Sequence, residues 1–503
     1  MGIIKRQAIQ SSVYAYAGVA VGFLTQGLIF PNLFSKNQVG LLALLLSLSV
    51  VLGQLANLGI NGAGGRYFPY FRNADRQHNG YLFVAGLTTL TGFGLCVLGL
   101  WLARPWIVAE YQTQSSLFVQ YYYLLIPLTL FTVFFNVFDN YARLLYNPVT
   151  GTLLQQFVLR LLVLLAGGAY YLGWVTFEQF LGLWLLAYGL PLVLMIVSVA
   201  RDQSLFVSRR FVSIEPVMRR NLTRYAVITL TTGLSSQIIW MVDKWMINSH
   251  SGLADTGVYT TMSYFASVIA LPATVLYKVA STTVAESWKT NDRTNILDVY
   301  RKSCLNQLIA GCLVFVGVVA NLPSVLSFLP TGYEAGYLVI IWLGIGKLID
   351  MATGVNGIIL STSRFYAYDS LFFVALIFVT IAVNLYLIPK FGMTGAAVGA
   401  ALATTLYNLV RTLFVGIAFR MQPFSWRNGV VVLVAATVWW ASRQLPYPMA
   451  NAPIWRVVLD VSVRSGFITV IYVSLIYFLN LSPDITRLLR DGVRRLSRWT
   501  PLS

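Results

Sequence analysis

The chain has 503 residues, of which 57% are hydrophobic and only 10% charged. That balance excludes an ordinary soluble domain, in which about a quarter of residues are charged, and points to a polytopic membrane protein. The net charge of +18 is spread over short loops instead of gathered in one patch, as the positive-inside rule predicts, so nucleic acid is not an expected partner.

In chain order, the segment MGIIKRQAIQSS is a short basic start. The apolar run after it lacks a small-residue cleavage site and reads as a retained first helix. Arg6 stands where a myristoylation signal wants Ser or Thr. With ~20 apolar residues per crossing, the sequence predicts an all-α membrane protein of about 14 spans. Six lie near 11–30, 39–60, 81–103, 117–137, 152–172 and 177–200. Six more lie near 224–248, 257–280, 305–328, 336–360, 370–388 and 393–418, and a final pair near 428–443 and 462–481. The predicted layout is a first lobe over 1–200, a basic cytoplasmic linker over 201–223, a second lobe over 224–420, and a last helix pair with a basic tail over 421–503. The linker carries Arg201, Arg209, Arg210, Arg219 and Arg220, with Arg224 just beyond it, against Asp202 and Glu215.

Gly18, Gly22 and Gly27 punctuate the first span, and Pro127, Pro191 and Pro272 punctuate others. Breaks of this kind are tolerated in lipid where neighbouring helices or water satisfy the freed backbone groups. In the second span Gln54, Asn57 and Asn61 recur at helical spacing. They suit either a polar cavity wall or interhelix hydrogen bonds, and the packing role is the blander one. Gly62, Gly64 and Gly65 do not make a phosphate loop, because no Gly-Lys-Ser/Thr follows and no strand precedes. The tail from Asp484 to Arg498 reads as an amphipathic helix on the anionic inner leaflet.

With the N-terminus placed inside, most of the 35 basic residues fall in the inner loops and termini. The outer loops hold only Lys36, Arg104, Lys390, Arg443 and Arg456. Both termini are therefore expected in the cytoplasm of a cell with an inner membrane. Cys96, Cys304 and Cys312 give neither a disulfide framework nor a zinc site, and His78 and His250 do not make a metal cluster. No cofactor is expected.

Charge inside a span is costly, at least ~2.5–3.5 kcal/mol per group, so such residues are site candidates by default. Lys347 lies mid-span and Asp350 follows at i+3 on the same face. They form either a cavity cation with an acidic partner that sets its charge or accepts a coupling ion, or a packing pair. Arg160 lies in the fifth span. Asp243 and Lys244 lie near the outer end of the seventh, where Gln237, Trp240 and Lys244 share a face. Lys278 and Arg66 lie near inner helix ends and serve either to gather an anion or as ordinary inner-side cations. Arg411, in the twelfth span, is a weaker candidate.

The stretch NLYLIPKFGMTGAAVGAALATTLYNLVR carries Asn384, Ile388-Pro389, Phe391-Gly392 and Gly395-Ala396-Ala397. It resembles the twelfth-helix signature of polysaccharide transporter (Wzx-type) flippases of the multidrug/oligosaccharidyl-lipid/polysaccharide (MOP) superfamily. NLGINGAGGRY at 57–67 and WMVDKWMINSHSGLADTGVY at 240–259 are similar to the second- and seventh-helix endings of that family. Pro389 and Gly392 predict a tight outer turn, and Gly395 and Gly399 a small-residue face for close packing.

The resemblance implies two six-helix lobes around a central cavity plus two C-terminal helices. It implies alternating-access flipping of an undecaprenyl-pyrophosphate-linked glycan, driven by an ion gradient, the membrane potential or downstream polymerisation. The expected partners are that lipid-linked glycan, membrane lipids and polysaccharide polymerase or assembly proteins, and the expected state is a monomer. On this reading Lys347, Arg160, Lys244, Lys278 and Arg66 meet the pyrophosphate. Asp350 and Asp243 are the coupling or ion-pair acids, and Gln237, Gln54 and Asn57 form a polar wall. A lipid II flippase falls within the same reading. An ion-coupled drug or metabolite antiporter of the same superfamily is the alternative. A membrane glycosyltransferase or polymerase lacks the outer loop or acidic pair it needs.

Overall fold

The computed structural model describes residues 3–72, 78–201, 216–446, 454–487 and 490–491, and among them there is no strand. The helices, in chain order, begin with α1 (Ile3–Phe23), which continues through a π-turn at Leu24–Ile29 into Phe30–Leu33. Next come α2 (Lys36–Ala56), α3 (Ile60–Phe71), α4 (Tyr81–Tyr111) and α5 (Leu125–Leu144). They are followed by α6 (Leu159–Tyr171), entered through a second π-turn at Leu153–Val158, then α7 (Phe177–Arg201) and α8 (Pro216–Val268). The rest are α9 (Leu271–Lys289), α10 (Arg293–Phe328), α11 (Tyr337–Ala352), α12 (Asn356–Ser361), α13 (Tyr366–Phe419), α14 (Trp426–Ser442) and α15 (Ile454–Phe478).

Local sequence explains where several of these start. Ser35 and Gln38 form a reciprocal capping box at the head of α2, and Ser425 and Asn428 form another at the head of α14. Asp292 caps α10 by accepting the Asn295 amide at 3.0 Å. Between their starts and stops the helices are almost continuously apolar, which in lipid leaves every backbone group satisfied inside its own segment.

Ten spans among the described residues are long and apolar enough to cross a membrane, and a bent pair, Arg220–Ile239 with Met241–Val268, makes an eleventh if it is one span. The chain is thus a multi-pass membrane protein, but the count of fourteen is not reached on this criterion. The 54 residues of α13 count once, although Gly392 (φ 56°) breaks it into two limbs. The 17 residues of α14 stand at the short limit for a crossing and are not counted, and α9 is less apolar than the spans that count.

Two glycine breaks stand out, one at the end of the second expected span and one inside the tenth. The second ends at Ala56, turns through Leu58 and Gly59 (φ 49° and 78°), and restarts as α3. Arg66 therefore lies on a separate short helix and not at the end of the second span. The tenth ends at Ala352, turns through Gly354 (φ 62°) and restarts as α12. By contrast Pro191 sits inside an unbroken α7. Left-handed backbone, which glycine adopts without strain, makes these breaks, and proline does not.

The chain clusters into two compact units, Met1–Thr261 and Met262–Ser503. Most of α8 therefore groups with the first unit. Linker residues 202–215, and tail residues 488–489 and 492–503, lie outside the described residues. The core of the first unit is aromatic, with Phe30, Phe34, Phe180 and Trp184 buried together. In it α2 and α8 cross at glycines. A Cβ on Gly40 would sit 2.0 Å from the Leu253 carbonyl oxygen, and one on Gly257 would sit 2.2 Å from that of Lys36. In the second unit α14 and α15 pack on α10 through Val431, Val438, Ile468 and Tyr472.

That helix pair is tied at one end by Arg464, which is fully buried. Its guanidinium donates to the carbonyls of Ser442 at 2.7 Å and Pro446 at 2.9 Å, and to Asp460 Oδ1 at 2.8 Å. A cation there satisfies the orphan carbonyls at the C-terminus of α14 and complements its dipole.

Candidate functional site

A dense intramembrane polar cluster builds from the break between α11 and α12 in the second unit. Stopping α11 at Ala352 leaves Thr353 and Asn356 at the break with side chains free to bond elsewhere, and both turn to Asn408 on the second limb of α13. Asn408 is buried and uses its whole amide. Its Nδ2 donates to Asp350 Oδ1 at 3.0 Å and to the Thr404 carbonyl at 3.1 Å. Its Oδ1 accepts from Thr353 Oγ1 at 3.0 Å and from Asn356 Nδ2 at 3.2 Å. Asn356 also donates to Thr412 Oγ1 at 3.2 Å. Tyr277, from α9, hydrogen-bonds Asp350 through its hydroxyl, and Lys347 attracts the same carboxylate from one turn earlier on α11.

Beside this network Arg411 pairs with Asp369, Nη2 to Oδ1 at 2.5 Å. The two residues lie on opposite limbs of α13. The guanidinium also stacks over the Tyr407 ring at 4.0 Å. Gly357 makes room for it, since a Cβ there would lie 2.6 Å from Arg411 Nη1. The cluster thus holds two cations and two carboxylates on two membrane helices, α11 and α13.

The other candidates lie in the first unit. Arg160 is half-buried on α6, just past the π-turn, and its Nη2 donates to Gln156 Oε1 at 3.2 Å. Gly22 of α1 faces it, and a Cβ there would lie only 2.9 Å from Arg160 Nη1. One turn earlier Gly18 lies against the backbone of Gln156, where a Cβ would reach 1.8 Å from the carbonyl oxygen. Asp243 accepts from the Tyr259 hydroxyl at 2.8 Å, across the bend at Gly252 in α8, and attracts the adjacent Lys244.

Gln237 is half-buried on α8, and the side chains of Trp240 and Lys278 lie outside the described residues. Gln54 packs against Gly233, 2.1 Å from where a Cβ would be. Asn57 is buried and caps α3 by accepting the Asn61 amide at 3.1 Å. Gln54 and Asn57 thus both lie at helix contacts near the α2–α3 break. Arg66 is exposed and lies over the ring of Tyr225 at 4.9 Å.

The structure joins Lys347 and Asp350 and adds residues that sequence reading left out: Thr353, Asn356, Asp369, Asn408 and Thr412. It also moves Arg411 from the margin to the centre. A signal was present. Thr404, Asn408, Arg411 and Thr412 repeat at helical spacing within an otherwise apolar span, and that is a polar stripe.

No protein-family model matches the chain, and no curated protein matches it. Among solved structures it is similar to the lipid II flippase MurJ in an inward closed conformation. The TM-score is 0.74 at 11% identity, covering 94% of this chain and 100% of that one. It is also similar to an inward-facing multidrug resistance MATE family transporter of the MOP superfamily, with a TM-score of 0.61 at 14% identity over 80% of this chain and 94% of that one. A MOP superfamily transporter from Pyrococcus furiosus matches with a TM-score of 0.53 at 14% identity, over 83% of this chain and 96% of that one. At such identities the likeness speaks for the fold alone, which the chain shares with these membrane transporters.

Proposed function

We propose that this chain is a flippase that carries an undecaprenyl-pyrophosphate-linked oligosaccharide across the cytoplasmic membrane by alternating access, for surface polysaccharide synthesis. The observation that carries this reading is the whole-length likeness to a lipid-flipping transporter, 94% of this chain, combined with cations set deep in its helices. A pyrophosphate head cannot cross hydrocarbon without counter-charge and hydration, because each isolated charge costs several kcal/mol there. Lys347 and Arg160 lie well inside their helices. Lys244, Lys278 and Arg66 meet the head nearer either surface on this reading. The lipid tail stays in the bilayer throughout.

Both termini face the cytoplasm on this reading, and the chain works as a monomer beside a polymerase or other assembly proteins. Transport runs on the membrane potential, an ion gradient or removal of the flipped lipid. The second reading, an ion-coupled antiporter of small molecules, draws on the likeness to a MATE transporter, which covers 80% of this chain.

Binding separates the two. Purified protein is titrated with undecaprenyl-pyrophosphate trisaccharide, with undecaprenol, and with a cationic dye such as ethidium. The flippase reading expects saturable binding of the first that weakens in Lys347→Ala. Saturable dye binding without pyrophosphate-lipid binding overturns it in favour of the antiporter.

A further inference from the structure

We propose that Arg411 is a built-in counter-cation, so that the polar cluster of the second unit does not exchange sodium ions or protons during a transport cycle. The inference deepens the transporter reading by saying what this cluster does not couple, and it rests on that reading only for its consequence.

Charge and packing both point this way. The cluster contains Asp350 and Asp369 as acids and Lys347 and Arg411 as bases, all in membrane helices. The Arg411–Asp369 pair is direct, at 2.5 Å, with the side chains only 15% and 16% exposed. Asp350 is held by Asn408 at 3.0 Å and by the Tyr277 hydroxyl, and Lys347 adds its charge. Asn408, which holds Asp350, lies one turn before Arg411 on the same limb of α13, so the two halves adjoin.

A carboxylate pair with hydroxyl and amide oxygens around it is a suitable oxygen cage for a small hard cation. Here a tethered guanidinium fills that role. It cannot leave, its local concentration is fixed by the chain, and Gly357 and the Tyr407 face are shaped around it. A free ion would have to displace Arg411 and strand a charge in the membrane. Removing Arg411 leaves an uncompensated carboxylate in low dielectric, which must then recruit a sodium ion or a proton.

The test uses the full chain purified in detergent, with sodium chloride compared against choline chloride at equal ionic strength. Retention of radioactive sodium and the thermal midpoint are measured at several pH values. The native chain is expected to retain no saturable sodium, and its midpoint should not change when choline replaces sodium. Arg411→Gln is expected to gain either about one retained sodium per chain or a midpoint that rises as pH falls. Arg411→Lys should behave as native. The double change Arg411→Gln with Asp369→Asn, neutral again, should lose the acquired dependence. If Arg411→Gln folds only in sodium or at low pH, that requirement is the same result.

Two results overturn the proposal. One is saturable sodium in the native chain that Asp350→Asn or Asp369→Asn abolishes. The other is a folded Arg411→Gln protein indifferent to both sodium and pH, which makes the residue a packing staple only. Neither measurement involves a lipid-linked glycan, so failure here is distinguishable from failure of the flippase reading.

Discussion

Asp369 and Arg411 meet across the two limbs of one helix, 2.5 Å apart, on either side of the break that Gly392 makes. A glycine turn brings the limbs back against each other, and the ion pair fixes their register. Breaking one partner of a buried pair costs about 3–5 kcal/mol, whereas exchanging both for apolar groups of similar volume is often neutral. Asp369→Ala alone is therefore expected to lower the thermal midpoint clearly. Asp369→Leu combined with Arg411→Met should recover most of that loss, as read by thermal unfolding in detergent.

Asn408 uses every donor and acceptor of its amide within the membrane. Asn408→Leu keeps the volume but takes one hydrogen-bond partner from each of Asp350, Thr353 and Asn356. Each unsatisfied buried group costs about 1–3 kcal/mol, so this substitution should destabilise more than Thr412→Val, which removes one acceptor from Asn356. Side-by-side unfolding curves check the order.

Gly18 and Gly22 face the same helix but meet different obstacles. A Cβ on Gly18 runs into backbone, 1.8 Å from the Gln156 carbonyl oxygen, while one on Gly22 meets the Arg160 side chain, which can shift. Overpacking against a rigid neighbour costs about 1–3 kcal/mol or more. Gly18→Ala should therefore reduce stability more than Gly22→Ala, and Gly22→Ala should alter transport through Arg160 if that cation meets the cargo. Thermal midpoints and a transport assay on the two variants separate these effects.

Outside the membrane, Asp292 caps α10. The Thr294 hydroxyl at 2.6 Å and then the Asn295 amide at 3.0 Å hold its carboxyl below the ordinary aspartate range. A depressed folded value means the cap contributes fully above the unfolded aspartate range and is lost as pH falls through it toward the folded value. Protection of the Asn295 and Ile296 amides, their exchange taken relative to the intrinsic rate at each pH, should therefore fall on acidification, and Asp292→Ala should show weak protection already at neutral pH.

Most of the fold was legible because lipid imposes one rule, a run of apolar residues for each crossing. The turn at Gly392 and the close packing at Gly395 and Gly399 were readable from the small residues themselves. A Cβ on Gly399 would lie 2.4 Å from Asn384 Oδ1, and one on Gly395 would lie 2.3 Å from the Leu387 carbonyl oxygen. The stop at Gly59 falls at the expected end of the second span, near 60, whereas the break at Gly354 was not read, because the expected tenth span runs across it to 360.

The site was half legible. Lys347 and Asp350 share a face by spacing alone. Their partners Asn408 and Tyr277 come from other helices, and local sequence does not say which helices meet. Arg411 looked marginal because its partner, Asp369, stands a whole limb away.

The most direct test of the central claim is flipping itself. Protein in liposomes carrying a labelled undecaprenyl-pyrophosphate saccharide in one leaflet is followed by exposure of the label to a membrane-impermeant enzyme. The flippase account predicts protein-dependent exposure, slowed at least tenfold in Lys347→Ala, which corresponds to about 1.4 kcal/mol of lost transition-state stabilisation. A folded native protein that exposes no label above protein-free liposomes, across saccharides of several compositions, while transporting a cationic dye, would contradict it.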